Sequence, residues 1–481
     1  MRSNEKMSNY RWMICAMLFF ATTVNYLDRQ VLSLTWPKFI GPEFGWTNDD
    51  YGNITSMFSI LYAVCMLFAG RFVDRLDTKK GFLWAIGIWS VGACMHAFCG
   101  IATAGISVGS WTLSFSEAHD AIKTAGSTAQ IVSLSVTLFI CCRFVLALGE
   151  AGNFPAAIKA TAEYFPKKDR AFSTSIFNSG ATIGAMIAPA SILFIAEKYG
   201  WEMSFIIIGL LGFIWMGFWV FIYNKPEQHP KVNKAELEYI QQDKLQSPVE
   251  SEKPEAERRK LSFIECFKFR QTWAFAFGKF MTDGVWWFYL FWMPIYLQTT
   301  FGLKGMQQIW PLTVLYTIVM LSIVGGWLPS YFIDKKGMNP YAGRMKSMFI
   351  FALFPILALF AQPLGSYTYW LPVVLIGIAC AAHQAWSANI FSTVGDMFPK
   401  SAIATVTGIG GMAGGIGAYF INKGAGKLFD YAADSHMNFM GFTNETAGYF
   451  IVFCFCAFAY LIGWIVMKAL VPKYKVISVD E

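Results

Sequence analysis

Charge is scarce in this chain: of its 481 residues only 14% are Asp, Glu, Lys or Arg, against 55% hydrophobic and 17% aromatic. A water-facing surface needs far more polar cover than that, so lipid is the solvent that fits. Histidine is thin too. His96, His119, His229, His383 and His436 are scattered and form no HExxH spacing, which argues against a metal centre or a metal cofactor. There is no nucleophile elbow, and enzyme classes built on one are set aside with it. The ten cysteines lie almost wholly in apolar stretches, Cys141 beside Cys142, and read as small buried side chains rather than a disulfide framework. Nothing alternates as barrel strands do.

What the chain has instead is a series of apolar runs, each long enough to cross roughly 30 Å of hydrocarbon as a helix. They fall at 11–35, 51–72, 81–103, 128–152, 171–196, 203–223, 271–298, 309–333, 345–365, 370–394, 402–422 and 446–470. The first runs into Asn25-Tyr26-Leu27-Asp28-Arg29 with no small-residue cleavage site, and so reads as a retained helix. The net charge of +7 sorts by side: with the N-terminus inside, 29 Lys and Arg fall on inward segments and 6 on outward ones. That bias places both termini in the cytoplasm. The positive charge therefore concerns topology, and no nucleic-acid partner is expected.

Between the sixth and seventh runs the composition turns to Pro, Lys, Arg and Glu, which marks 225–270 as a cytoplasmic linker between an N-terminal bundle, 1–224, and a C-terminal bundle, 271–481. The halves repeat. A shift of 233 lays Phe165-Pro166-Lys167 on Phe398-Pro399-Lys400, and a shift of 256 lays Lys79-Lys80-Gly81 on Lys335-Lys336-Gly337. The unequal shifts imply an extra outward segment at about 104–127. The fold class expected is an all-α membrane protein of twelve transmembrane helices in two pseudo-symmetric six-helix bundles.

Gly70-x-x-x-Asp74-Arg75-x-x-x-Lys79-Lys80 joins the second and third runs, with a glycine for close helix approach and a carboxylate among basic groups. It resembles the loop 2-3 signature of the major facilitator superfamily. The second copy has Ser330 where Asp74 maps. Gly180 and Gly184, and the glycines from Gly408 to Gly417, read as faces for tight helix packing.

Charges inside the membrane are the sharpest signal, since each costs at least about 2.5 to 3.5 kcal/mol at a helix centre. Asp28 and Arg29 lie in the first run; Arg143 and Glu150, seven apart, share a face of the fourth. They read as one compensated cluster. A purely structural ion-pair network is often replaceable by apolar residues, which makes function the better reason to keep them. Lys279 and Asp283, one turn apart, read as a self-compensating structural pair. Trp286, Trp287, Tyr289 and Trp292 follow, and suit a pocket wall for sugar C–H groups. Tyr62, Asn178, His383, Gln384, Trp386 and Asn389 are the side chains expected to address hydroxyls at the bundle interface.

Asn25-Tyr26-Leu27-Asp28-Arg29, Arg143-Phe144 with Glu150-Ala151-Gly152-Asn153, and Trp286-Trp287-Phe288-Tyr289 look like the anion:cation symporter family of that superfamily. His383-Gln384-x-Trp386-Ser387-Ala388-Asn389 with Asp396-Met397-Phe398-Pro399 resembles its hexuronate transporters more narrowly. The resemblance covers nearly the whole chain. It implies a monomeric, inner-membrane symporter that takes up a small organic anion, glucuronate or galacturonate, with H+ as coupling ion and no other cofactor. It further implies that Arg29 meets the substrate carboxylate, that Asp28 and Glu150 carry protons, and that Arg143 pairs with those acids. An aldonate or aldarate symporter, an anion exchanger and a membrane sensor are the alternatives.

Overall fold

The computed structural model of the chain describes residues 6–245 and 262–477. Long helices follow one another where the apolar runs lie: α1 (Arg11–Thr35), α2 (Asn48–Leu76), α3 (Thr78–Ala97), α4 (Ala129–Glu150), α5 (Lys167–Tyr199) and α6 (Trp201–Ile222) in the first half. The second half holds α7 (Arg270–Phe301), α8 (Ile309–Val319), α9 (Pro340–Leu353), α10 (Trp370–Met397), α11 (Lys400–Asp434) and α12 (Glu445–Leu470). α8 and α9 continue past short tighter turns, to Lys335 and Gly365 respectively. These twelve membrane helices form two pseudo-symmetric six-helix bundles.

Local chemistry sets their ends. The Thr47 and Asp50 side chains form a capping box at the start of α2, Thr128 caps α4 and Asn339 caps α9. Pro166 and Pro399, which lack an N–H, precede the first residues of α5 and α11, so the repeat in sequence is a repeat in structure. Among the described residues, eight spans are long and apolar enough to cross a bilayer alone, and α3 with Cys99–Val108 makes a ninth, bent by 54°. α1, α7 and α11 are as long but more polar; α1 and α7 are buried along most of their length, which is where a membrane protein tolerates polar residues.

The bundles meet at one end, where α2 begins and α11 finishes. A Cβ on Gly52 would lie 2.9 Å from the Asn422 carbonyl oxygen, and one on Gly415 would lie 2.4 Å from the Ala63 Cβ. Asp430 of α11 accepts the Asn48 N–H at 3.0 Å and the Asp49 N–H at 2.6 Å, so it caps α2 from the other bundle. Lys423 adds an ion pair to Asp49 at 3.0 Å. Further along the approach loosens: a Cβ on Gly408 would lie 3.7 Å from Leu67 of α2, and one on Gly70 would meet nothing within 4 Å among the described residues. No close helix approach is made at Gly70 among the described residues.

Several connections carry helices of their own, Asn153–Tyr164 between α4 and α5 among them. Phe115–Ala125, between α3 and α4, is capped by Ser114 and brings His119 to 3.4 Å from Glu43. Lys234–Leu245, between α6 and α7, docks on the start of α1, where the buried Glu236 accepts the Tyr10 and Arg11 N–H groups at 2.9 and 3.0 Å and pairs with the Arg11 guanidinium at 3.1 Å. The first part of the linker expected at 225–270 thus folds as a cap for α1.

Candidate functional site

α4 is pressed against α3 through Gly149, where an added Cβ would lie 2.3 Å from the Trp89 nitrogen, and Gly152, 2.8 Å from the Ala85 Cβ. Glu150 stands between these two contacts, and with that face of α4 taken up by α3 its side chain meets α1. Its Oε2 accepts Arg29 Nε at 2.6 Å, with both side chains buried. The other sides of the Arg29 guanidinium face aromatic rings: Tyr26 at 5.0 Å, Tyr62 of α2 at 4.7 Å and Trp287 of α7 at 5.2 Å. Tyr26 and Tyr62 belong to the first bundle and Trp287 to the second, so Arg29 lies on the boundary between them.

Asp28 and Arg143 complete the cluster that the sequence implies. Both are buried, and Arg143 lies 5.2 Å from the Phe58 ring of α2, within electrostatic reach of Asp28 and Glu150. Among the described residues neither Asp28 oxygen has a hydrogen-bond partner, nor do Glu150 Oε1, Arg29 Nη2, Arg143 Nε or Arg143 Nη1. Unmet buried polar groups of this kind cost about 1 to 3 kcal/mol each, and more when charged. Four charges that cancel in sum but share one short pair are a poor stabiliser and a good switch.

In the second bundle several of the expected residues are held by their neighbours. Trp286 stacks on His383 with ring centroids 5.4 Å apart and planes 7° from parallel, and His383 Nδ1 lies 2.7 Å from the Tyr460 hydroxyl. Trp386 is fully buried edge-on to Tyr460. Asn389 donates its amide to the Gly325 and Ala385 carbonyls, each at 2.8 Å, and so ties α10 to α8. These four are engaged with neighbours inside the second bundle. Gln384 is half-buried and Asn178 exposed, and neither makes a hydrogen bond among the described residues. Lys279 and Asp283 form the expected pair, at 2.6 Å.

The structure thus gathers Asp28, Arg29, Arg143, Glu150 and Tyr62 with Trp287 of the aromatic run, and adds Tyr26 and Phe58. A signal for these three rings exists in the spacing: Tyr26 precedes Arg29 by three, Phe58 precedes Tyr62 by four, and Trp287 follows Asp283 by four, all same-face steps on a helix. Trp286, one residue off that stripe, turns away. At the loop motif, Lys79 Nζ meets Asn224 Oδ1 at 3.1 Å and Lys159 Nζ meets the Val73 carbonyl at 3.2 Å, while Arg75 and Lys80 are exposed. The Asp74 side chain lies outside the described residues. No three His, Cys, Asp or Glu converge among the described residues as a metal site requires.

Comparison with known proteins agrees with this architecture. The chain is 28% identical over 432 residues to the hexuronate transporter of Escherichia coli (strain K12), covering 89% of each protein. It is 25% identical over 387 residues to the galacturonate transporter of Dickeya chrysanthemi, covering 79% of this chain and 97% of that one. It is 24% identical over 416 residues to the probable galactarate/D-glucarate transporter GarP of Escherichia coli (strain K12), covering 84% and 85%. Among solved structures, a bacterial homologue of the human lysosomal transporter Spinster superposes with a TM-score of 0.66 at 17% identity, covering 96% of this chain and 98% of that one. The family model described as Major Facilitator Superfamily matches residues 18–421. With twelve helices in two halves and that match across most of its length, the chain belongs to the major facilitator superfamily and is a multi-pass membrane transporter, not an enzyme.

Proposed function

We propose that the protein imports a hexuronate, glucuronate or galacturonate, by proton symport across the inner membrane, with both termini in the cytoplasm. One observation carries the reading: Arg29, at the bundle boundary, has Glu150 as its ion-pair partner and aromatic rings from both bundles on its other sides. A proton placed on Glu150 removes the charge that holds Arg29. The guanidinium is then free to take a substrate carboxylate in a charge-assisted hydrogen bond. Asp28 and Arg143 lie beside them as a second buried acid and base, and a further proton on Asp28 adds one positive charge that crosses with the cargo. Tyr62 and Trp287 present ring faces to the sugar C–H groups, and Gln384 is the amide left to meet a hydroxyl. The names of the relatives support a sugar acid as cargo.

Transport follows from rocking of the two bundles, 1–224 and 271–481, about this site. The Asp430 cap on α2 and the Lys423–Asp49 pair close the far side in the state described here; outward opening breaks them. A membrane potential of 100 mV contributes about 2.3 kcal/mol per net charge crossing, so the proton count sets the accumulation limit. In Glu150→Gln the site is held permanently in its proton-loaded form. Substrate exchange between equal pools is expected to persist while gradient-driven uptake loses its pH dependence; wild-type pH dependence in that variant would remove Glu150 from the coupling role. Arg29→Ala is expected to abolish binding.

A further inference from the structure

Lys279, Asp283 and Trp287 follow one another at four-residue steps on α7 and so form one stripe. Trp287 ends at Arg29. Behind it Asp283 holds Lys279 Nζ at 2.6 Å, and the ammonium lies 4.2 Å from the Phe391 ring of α10. The pair therefore shares the face of α7 that brings Trp287 to Arg29, with Asp283 beside Gly414 of α11. An ammonium only 4% exposed is expensive in a membrane protein, and apolar residues would pack as well. Nothing in the Arg29 and Glu150 exchange uses it.

Sugar acids of six carbons differ in how many charged ends they carry: a uronate has one carboxylate, an aldarate two. Arg29 meets one. A second carboxylate at the other end of the molecule needs a cation on the opposite wall, and Lys279 is there with its charge cancelled. Resting on the proposed role of Arg29, we infer that Asp283 determines specificity by masking Lys279, so that the site accepts sugar acids with one carboxylate and turns away those with two.

The test is equilibrium binding of galacturonate and galactarate to the purified full-length protein and its variants. Wild type is expected to prefer galacturonate. Asp283→Asn, which keeps the volume beside Gly414, is expected to bind galactarate roughly tenfold or more tightly than wild type, the worth of one charge-assisted hydrogen bond, with galacturonate changed less than about threefold. The double variant Asp283→Asn, Lys279→Met is expected to lose that gain. Lys279→Met alone, which does not depend on the fold tolerating an unmasked ammonium, is expected to keep galacturonate affinity. The inference is overturned if Asp283→Asn leaves the galactarate affinity unchanged, if the gain survives removal of Lys279, if Lys279→Met loses galacturonate, or if wild type binds both acids alike. Wild type that binds neither acid overturns the Arg29 reading and this one with it; wild type that binds galacturonate leaves the Arg29 reading standing whatever Asp283→Asn does.

Discussion

At the scale of residues, Arg29 shows how a membrane transporter keeps a charge it cannot leave bare. One face of the guanidinium meets a carboxylate and the others meet the electron-rich faces of Tyr26, Tyr62 and Trp287, so the charge is sheltered without being neutralised on every side. Trp286 and Trp287 are neighbours in sequence with opposite duties, and that gives a paired prediction. Trp287→Ala should raise the Kd for substrate by about tenfold, the loss of a cation–π and stacking contact worth about 1 to 2 kcal/mol, and leave the melting temperature near wild type. Trp286→Ala should instead lower stability, by about 3 to 5 kcal/mol for a buried tryptophan, with substrate affinity altered little in the protein that folds. Binding and thermal unfolding on both variants decide it; the reverse pattern would reassign the two rings. The four charges of the cluster were legible because charge in an apolar run is costly and hence noticeable. The roles of His383, Trp386 and Asn389 were not: an amide that faces the Gly325 carbonyl of α8 and one that faces a cavity look alike in sequence.

At the scale of elements, the helix Lys234–Leu245 matters most for what it does to α1. Four N-terminal N–H groups of any helix lack intrahelical partners, and Glu236 satisfies two of those around Tyr10 and Arg11 while pairing with the Arg11 guanidinium. Ser8 Oγ donates to the same carboxylate. Tyr239 adds a hydrogen bond to Asp169 of α5 at 2.6 Å, so the connection grips both helices that pack together through Gly180 and Gly184. Glu236→Ala removes one partner of a fully buried ion pair and is expected to cost about 3 to 5 kcal/mol in stability. Thermal unfolding in detergent, with limited proteolysis of the α6–α7 connection, checks this; a melting temperature within error of wild type would mean that the dock adds nothing. Composition could mark this stretch as polar and exposed, but which of its carboxylates finds a helix end is a matter of tertiary contact. The small-residue face of α5 was readable because glycines at four-residue spacing leave room for a partner backbone, here Phe19 and Thr23 of α1.

At the scale of the whole molecule, two halves of like sequence make a machine with two ends, and the structure shows one end shut. The twelve crossings and the halves follow from run length and repetition, both properties of sequence. Which end is closed does not. Gly70 and Gly415 are both glycines of helix-packing motifs, yet among the described residues one meets nothing and the other meets Ala63 of the other bundle closely, a difference the sequence does not carry.

The central claim, proton-driven uptake of a hexuronate, is tested most directly by placing the purified protein in liposomes and following labelled glucuronate and galacturonate with and without an inward proton gradient, with a protonophore as control. The account predicts accumulation above equilibrium that the protonophore collapses; uptake that merely equilibrates regardless of the gradient, or no uptake of either acid, would contradict it.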